Sequence, residues 1–161
     1  MTFLIIIVLR KMEFTNFEEV IKFAIAREED AVVAYGSMSE KAKSPGLKEL
    51  MLELQEEERN HKKLLLEMTP GKIANLKPEK VLDLKISDYL VEEPAGPEMN
   101  FQDLLIFAAK KEQSAVELYS KLKDSTDDAD LQKLFEFMTE QEKAHKFKLE
   151  VQYEEHVLEE D

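Results

Sequence analysis

Apolar side chains recur along this chain at the three- and four-residue spacing of amphipathic helices, not at the alternating spacing of strands. In the first half, two such segments flank Lys43-Ser44-Pro45-Gly46, a composition that favours a turn. In the second half, two similar segments flank a polar stretch over residues 124–128. The pattern therefore predicts four long helices, arranged as two helical hairpins.

The two hairpins are copies of one another. Shifting the chain against itself by 84 residues aligns residues 16–68 with residues 100–152 without a gap, and 15 of the 53 aligned pairs are identical. A repeat of this kind gives each position in the first unit a counterpart in the second. We therefore expect one domain built from two equivalent units.

A long connection joins the hairpins. Residues 69–97 hold four of the five prolines in the chain, and they are too many for a simple loop within a bundle. A connection of this length predicts a crossover, in which the second and third long helices run parallel. The predicted fold is an all-α four-helix bundle over residues 13–152, with a short helix expected within residues 81–90 of the crossover.

The two ends of the chain fall outside this bundle. Residues 1–12 form an apolar N-terminal extension that includes FLIIIVL, which is much shorter than the roughly 20 residues needed to span a bilayer. No small-residue cleavage site follows it, so we expect a cytoplasmic protein without a membrane partner. We expect this extension to pack on the bundle or on a neighbouring subunit, and residues 153–161 to form an acidic tail that includes a solvated His156.

Charge and composition narrow the chemistry. A net charge of −13 repels phosphate backbones, so nucleic acid is not an expected partner. The chain has no cysteine, which excludes thiolate metal sites and catalytic thiols. Any metal ion must therefore be held by Glu, Asp and His.

Six ionisable residues continue the apolar faces of the predicted helices and should point into the bundle. In each repeat, one glutamate lies on the first helix and a Glu-x-x-His pair lies on the second. Residues equally far from the turn of an antiparallel hairpin lie level with one another, so the three groups of each repeat should meet at one depth. The six residues are Glu28, Glu58, His61, Glu112, Glu142 and His145.

Four carboxylates buried together repel one another and lose their hydration, which is very unfavourable. Two divalent cations would neutralise them, and glutamates from two helices with Glu-x-x-His from the other two are the ligand set of di-iron and di-manganese bundles. A single Glu-x-x-His in so acidic a chain is more often a surface pair, but the duplicated arrangement favours metal ligands. Glu29 and Glu57 are set aside as ligands, because their counterparts are Gln113 and Gln141.

These motifs resemble the ferritin-like superfamily, and within it the rubrerythrin-related proteins, over residues 16–152. The resemblance implies a di-iron centre bridged by Glu58 and Glu142 that reduces peroxide or O₂. It also implies that Tyr35 and Tyr119 hydrogen-bond to ligand carboxylates, although plain core packing is an equal alternative for each.

The chain departs from that family in two respects. Rubrerythrins usually carry an extra carboxylate one turn after the third-helix glutamate, where this chain has Ala115. The four-cysteine rubredoxin-like domain is also missing, so electrons should come from an external donor protein. Three functions stay open: an oxidoreductase, a ferroxidase that handles iron, and a bundle with purely structural metals. Mn and Zn are alternatives to Fe, and a homo-oligomer, dimeric or larger, is expected.

Overall fold

The computed structural model describes residues 17–76, 81–89 and 100–156, and these residues contain helices but no β-strand. The first hairpin consists of α1 (Phe17–Lys41) and α2 (Pro45–Leu66), and the second of α4 (Phe101–Asp124) and α5 (Ala129–His156). Between them lie the short helix α3 (Pro70–Ile73) and one turn of 3-10 helix (Ile86–Tyr89). The predicted all-α, ferritin-like bundle is confirmed.

Polar side chains cap the N-termini of two of the long helices. Ser44 accepts a hydrogen bond from the backbone N–H of Leu47 at the start of α2, where Pro45 is the first residue. Asn100 caps α4 by accepting from the N–H of Asp103. These caps satisfy backbone groups that would otherwise lack partners at the helix ends, so α2 and α4 begin at defined residues.

Two contacts between the hairpins establish the direction of the helices. Tyr35 in α1 reaches Glu112 in α4, whereas Tyr119 in α4 reaches Glu28 in α1. Residue numbers therefore increase along α1 in the direction in which they decrease along α4, so these two helices are antiparallel. Because α2 is antiparallel to α1 within its hairpin, α2 and α4 run parallel, as the long crossover predicts.

The core consists of two apolar clusters, one toward each end of the bundle. One contains Met38, Leu54 and Leu149, and the other contains Leu65, Leu134 and Met138, together with further side chains of all four long helices. In every long helix the predicted ionisable residues lie between the positions that enter these two clusters. The bundle thus has a polar layer between two apolar ends.

Side chains of α5 hold the described part of the crossover. Glu140 accepts a hydrogen bond from the N–H of Val81 at 3.0 Å, and Glu150 accepts from the N–H of Ser87 at 2.6 Å. The short helix predicted within residues 81–90 is present as the 3-10 helix Ile86–Tyr89. Lys146 adds an ion pair with Asp83 at 2.6 Å.

Some predictions fall outside the described residues, namely the N-terminal extension at residues 1–12 and the last five residues of the acidic tail. The start of that predicted tail, residues 153–156, belongs to α5, because Tyr153 is buried in the core. His156 is exposed, as predicted, and its ring contacts Phe101. Within the described ranges, no helix is both long enough and apolar enough to cross a membrane.

Candidate metal centre

The structure brings all six predicted residues together in the polar layer. Each is buried, with at most 8% of its surface exposed. Ligand atoms within 4.8 Å of one another form two overlapping groups of four residues, which share Glu58 and Glu142. We call the group that adds Glu28 and His61 the His61 position, and the group that adds Glu112 and His145 the His145 position.

Both histidines turn the same ring nitrogen toward the carboxylates. The Nδ1 of His61 lies 3.3 Å from Glu58 Oε2 and 3.6 Å from Glu28 Oε2. The Nδ1 of His145 lies 2.7 Å from Glu58 Oε1 and 3.6 Å from Glu112 Oε1. The two rings are nearly parallel, at 11°, with their centres 5.2 Å apart. Two imidazole nitrogens therefore lie side by side on one side of the cluster.

The other nitrogen of each histidine contacts the opposite hairpin. His145 Nε2 lies 2.7 Å from Glu57 Oε2, and His61 Nε2 lies 3.0 Å from Gln141 Oε1. A proton on Nε2 that is donated to these oxygens leaves Nδ1 with a free lone pair, as a metal ligand needs. The repeat in the sequence sets Glu57 aside as a ligand because its counterpart is Gln141, and it gives no sign that both residues contact the histidines.

Two tyrosines hold two of the carboxylates from across the bundle. The hydroxyl of Tyr35 donates a hydrogen bond to Glu112 Oε1, and the hydroxyl of Tyr119 donates to Glu28 Oε1 at 3.3 Å. Burial raises the pKa of both phenols well above the usual value, and nearby glutamate charges raise it further. Both hydroxyls therefore keep their protons and remain hydrogen-bond donors.

Several buried atoms of the cluster lack a hydrogen-bond partner within the protein. They include one oxygen each of Glu28, Glu58 and Glu112, and Nδ1 of His145. The last is close to Glu58 Oε1, but neither atom makes a well-directed hydrogen bond to the other. Buried polar atoms without partners are costly, and four of the five such side-chain atoms in the described residues belong to this cluster. The fifth is Glu150 Oε1, which lies 3.5 Å from Lys146 Nζ. The cluster is compatible with a di-metal site.

In the metal-free protein, protons offset part of the acidic charge. Burial raises the pKa of Glu28 and that of Glu112, and the nearby charge of Glu142 raises both further. Burial also opposes ionisation of Glu142, but hydrogen bonds from Glu112, His145 and His61 outweigh it, so the pKa of Glu142 is well below its usual value. Burial and the charge of Glu142 oppose ionisation of Glu58 as well, but hydrogen bonds with both histidines and Glu28 outweigh them, so the pKa of Glu58 is also lowered. Each repeat thus contributes one protonated and one ionised carboxyl group.

The pKa values of both histidines are also raised, and a protonated histidine carries a positive charge. Burial alone would lower the pKa of His61, but hydrogen bonds to Glu142, Glu28 and Glu58 raise it to about 12. The pKa of His145 is likewise raised well above its usual value by neighbouring carboxylates, despite burial. Two imidazolium cations therefore balance the two ionised carboxylates when no metal is bound.

A cavity of about 240 Å³ lies between α1 and α4 and reaches the carboxylate side of the cluster. Glu28, Glu112 and Glu142 line it, whereas neither histidine of the cluster does. Small and apolar residues form part of its wall, including Ala115 and the repeat-related Ala31. The cluster is therefore approached from the side opposite the imidazoles. The remaining lining residues include Arg27, Ala34, Met38, Phe107, Lys110 and Lys111.

Comparisons with known proteins agree with this architecture. A family model described as Rubrerythrin matches residues 19–153. A ferritin-like–encapsulin shell fusion protein from Pyrococcus furiosus is 30% identical over 107 residues, which are 66% of this chain but only 28% of that protein. A solved structure of a hypothetical protein from Pyrococcus furiosus is 28% identical with a TM-score of 0.56, over 90% of this chain and 92% of the other.

Proposed function

The chain belongs to the rubrerythrin family, and from this premise we propose that its polar layer holds two iron ions and reduces peroxide or O₂. The observation that carries the proposal is the burial of four carboxylates and two imidazoles in two overlapping groups of four. Two divalent cations neutralise four carboxylates and leave the imidazoles neutral. Mixed carboxylate and imidazole ligands suit iron or manganese, and zinc fits the same set.

Glu58 and Glu142 are proposed to bridge the two ions, because both belong to both positions. Glu28 with His61, and Glu112 with His145, would each complete one position. Two Fe(II) ions bound there would supply two electrons which, with two protons from solvent, reduce one hydrogen peroxide to two water molecules. Tyr35 and Tyr119 keep the two terminal carboxylates oriented by hydrogen bonds from the opposite hairpin.

The cavity between α1 and α4 is the proposed route for the oxidant. It leads to the carboxylate side of the cluster, and neither His61 nor His145 lines it. Its volume of about 240 Å³ accommodates a molecule as small as peroxide together with water. Reduction also needs a supply of electrons, and since this chain has no cysteine for a rubredoxin-type centre, an external donor protein is proposed.

Anaerobic reconstitution with Fe(II) tests the proposed function. The reduced protein, mixed with hydrogen peroxide in a stopped-flow instrument, should oxidise two iron ions per peroxide consumed. Oxidation by O₂ with little or no reaction with peroxide would be shared by an oxidase and a ferroxidase, and the mass of the assembly would then distinguish them. Iron that reacts with neither oxidant would contradict both activities and leave a structural role for the metals.

One comparison favours the ferroxidase as the second candidate. The similar Pyrococcus furiosus protein is described as a ferritin-like domain fused to an encapsulin shell. A ferritin-like domain joined to a shell protein belongs to an assembly, and a homo-oligomer is proposed for this chain as well. Native mass measurement of the iron-loaded protein, alongside the kinetics, would distinguish a small oligomer from a large iron-storing assembly.

A further inference from the structure

We propose that Glu57 and Gln141 make the two metal positions unequal, so that the His145 position binds a divalent ion more tightly than the His61 position. This inference rests on the proposed metal pair and concerns the residues behind its histidines. Neither residue would touch a metal ion. Both would act by positioning and polarising a ligand.

The contacts that carry the inference cross between α2 and α5. Glu57 in α2 lies 2.7 Å from Nε2 of His145, and Gln141 in α5 lies 3.0 Å from Nε2 of His61. Each histidine is therefore backed by a residue of the other hairpin. Both contacts involve the nitrogen that faces away from the carboxylate cluster.

The internal repeat makes this a matched comparison. Residues 57 and 141 are counterparts under the 84-residue shift, and so are residues 61 and 145. The two histidines therefore have the same kind of neighbour at equivalent positions, and the neighbours differ by one substitution. One histidine is backed by a carboxylate and the other by a neutral amide.

That difference changes the histidine as a ligand. A carboxylate that accepts the Nε2 proton increases the electron density of the imidazole and the basicity of Nδ1, whereas an amide oxygen does so less. Glu57 also brings a negative charge near the metal position, which the Lys148 ammonium partly offsets. Because outer partners of this kind typically alter metal affinity about 10- to 100-fold, the two positions should differ by a comparable factor.

A lysine holds Glu57 in place. Lys148 lies 2.5 Å from Glu57 and 3.1 Å from Glu53, so it ties both carboxylates together at the edge of the bundle. The counterpart of Lys148 in the first repeat is Leu64, which has no charge to offer Gln141. The asymmetry of the repeat thus extends to the residue that supports the carboxylate.

Calorimetric titration of the metal-free protein with Mn²⁺ tests the inference. The unmodified chain should bind two ions with different affinities, and crystals with one equivalent of Mn²⁺ should show anomalous scattering mainly at the His145 position. Glu57→Gln should weaken the tighter site by about 10- to 100-fold and bring the two affinities together. Gln141→Glu should instead strengthen the weaker site.

Glu53→Gln is the matched control. It removes the same charge from the same helix and also loses a contact with Lys148, but Glu53 does not contact either histidine of the cluster in the structure. It should leave the ratio of the two affinities within about twofold of the unmodified protein. Equal effects of Glu57→Gln and Glu53→Gln, or two equal sites in the unmodified chain, would overturn the inference while leaving the metal pair intact. Failure of the unmodified chain to bind Mn²⁺ would count against the proposed function itself.

Discussion

Tyr35 in the first hairpin donates its hydroxyl hydrogen bond to Glu112 in the second, and Tyr119 makes the reciprocal bond to Glu28 at 3.3 Å. Neither tyrosine bonds to the glutamate that precedes it by two turns in its own helix. The two bonds therefore connect the hairpins through the polar layer. The same two bonds therefore join the hairpins and orient two carboxylates of the cluster.

Replacing Tyr35 with Phe should lower the free energy of unfolding of the metal-loaded protein by about 1 to 3 kcal/mol, because a buried carboxylate loses its donor. Tyr119→Phe is the matched variant, and the longer bond to Glu28 predicts a smaller loss, about 1 kcal/mol. Denaturant unfolding at fixed metal concentration measures both. Loss of stability without any change in metal affinity would mean that the hydroxyls serve packing alone.

Replacing Glu58 with Gln should reduce the bound metal from two ions to at most one per chain. Glu58 belongs to both positions, and an amide cannot supply two anionic oxygens to a pair of cations. Elemental analysis after removal of loosely held metal measures the result. Glu56→Gln is the control, since Glu56 is exposed and pairs with Arg59 on the surface. Full metal content in Glu58→Gln would contradict its proposed bridging role.

Much of this architecture follows from the repeat in the sequence. Helical spacing predicts the four long helices, and the length of the connection predicts the crossover. Inward positions in both repeats identify Glu28, Glu58 and their counterparts, which the structure brings together. These predictions succeed because burial of an apolar stripe determines which face of each helix points inward.

The partners of the histidines could not be predicted in the same way. The repeat shows which positions of the two units are equivalent. It does not show which helix of one unit packs against which helix of the other. Glu57 and Gln141 were visible in the sequence as a mismatched pair, but their role depends on the antiparallel register of α2 and α5. The carboxylates that hold the crossover, Glu140 and Glu150, depend on the same kind of long-range placement.

Loading the protein with two divalent ions near neutral pH should release about four protons, because metal ligands must be deprotonated. Raised pKa values keep a proton on Glu28, Glu112, His61 and His145 in the metal-free state, and each proton is displaced by metal. Calorimetry in buffers of different ionisation enthalpy counts the protons. Release of one proton or none would show that the metal-free carboxylates are already ionised and hydrated.

The metal-free protein should lose stability as pH rises from about 6 to about 9. The raised pKa of Glu28 means that its carboxyl group keeps a proton that the unfolded chain loses above about 4.5, and that of His61 does the same above about 6.5. The stability that each group contributes is fully present below its pKa in the unfolded chain. It declines as pH rises above that pKa, by up to about 1.4 kcal/mol per pH unit for each group.

Acid should also destabilise the metal-free protein, because the lowered pKa values of Glu58 and Glu142 make their contributions disappear as pH falls below about 4.5. Stability should therefore be greatest at mildly acidic pH. Urea unfolding with a chelator present, over a series of pH values, tests this expectation, and the metal-loaded protein is the comparison. A metal-free stability that does not change between pH 6 and 9 would contradict it.

Filling the cavity should slow oxidation without removing metal. Ala115 lines the space between α1 and α4, so Ala115→Leu places three more carbon atoms on the proposed route to the carboxylates. We expect the second-order rate constant for oxidation of the reduced iron protein by peroxide to fall by about tenfold or more, a barrier increase of ~1.4 kcal/mol. Val33→Leu, at a position that is 64% exposed on α1, should leave the rate unchanged. Because an obstructed route and a damaged site would both slow the reaction, metal content must be measured on the same samples. A normal rate in fully loaded Ala115→Leu would mean that the oxidant reaches the cluster by another path.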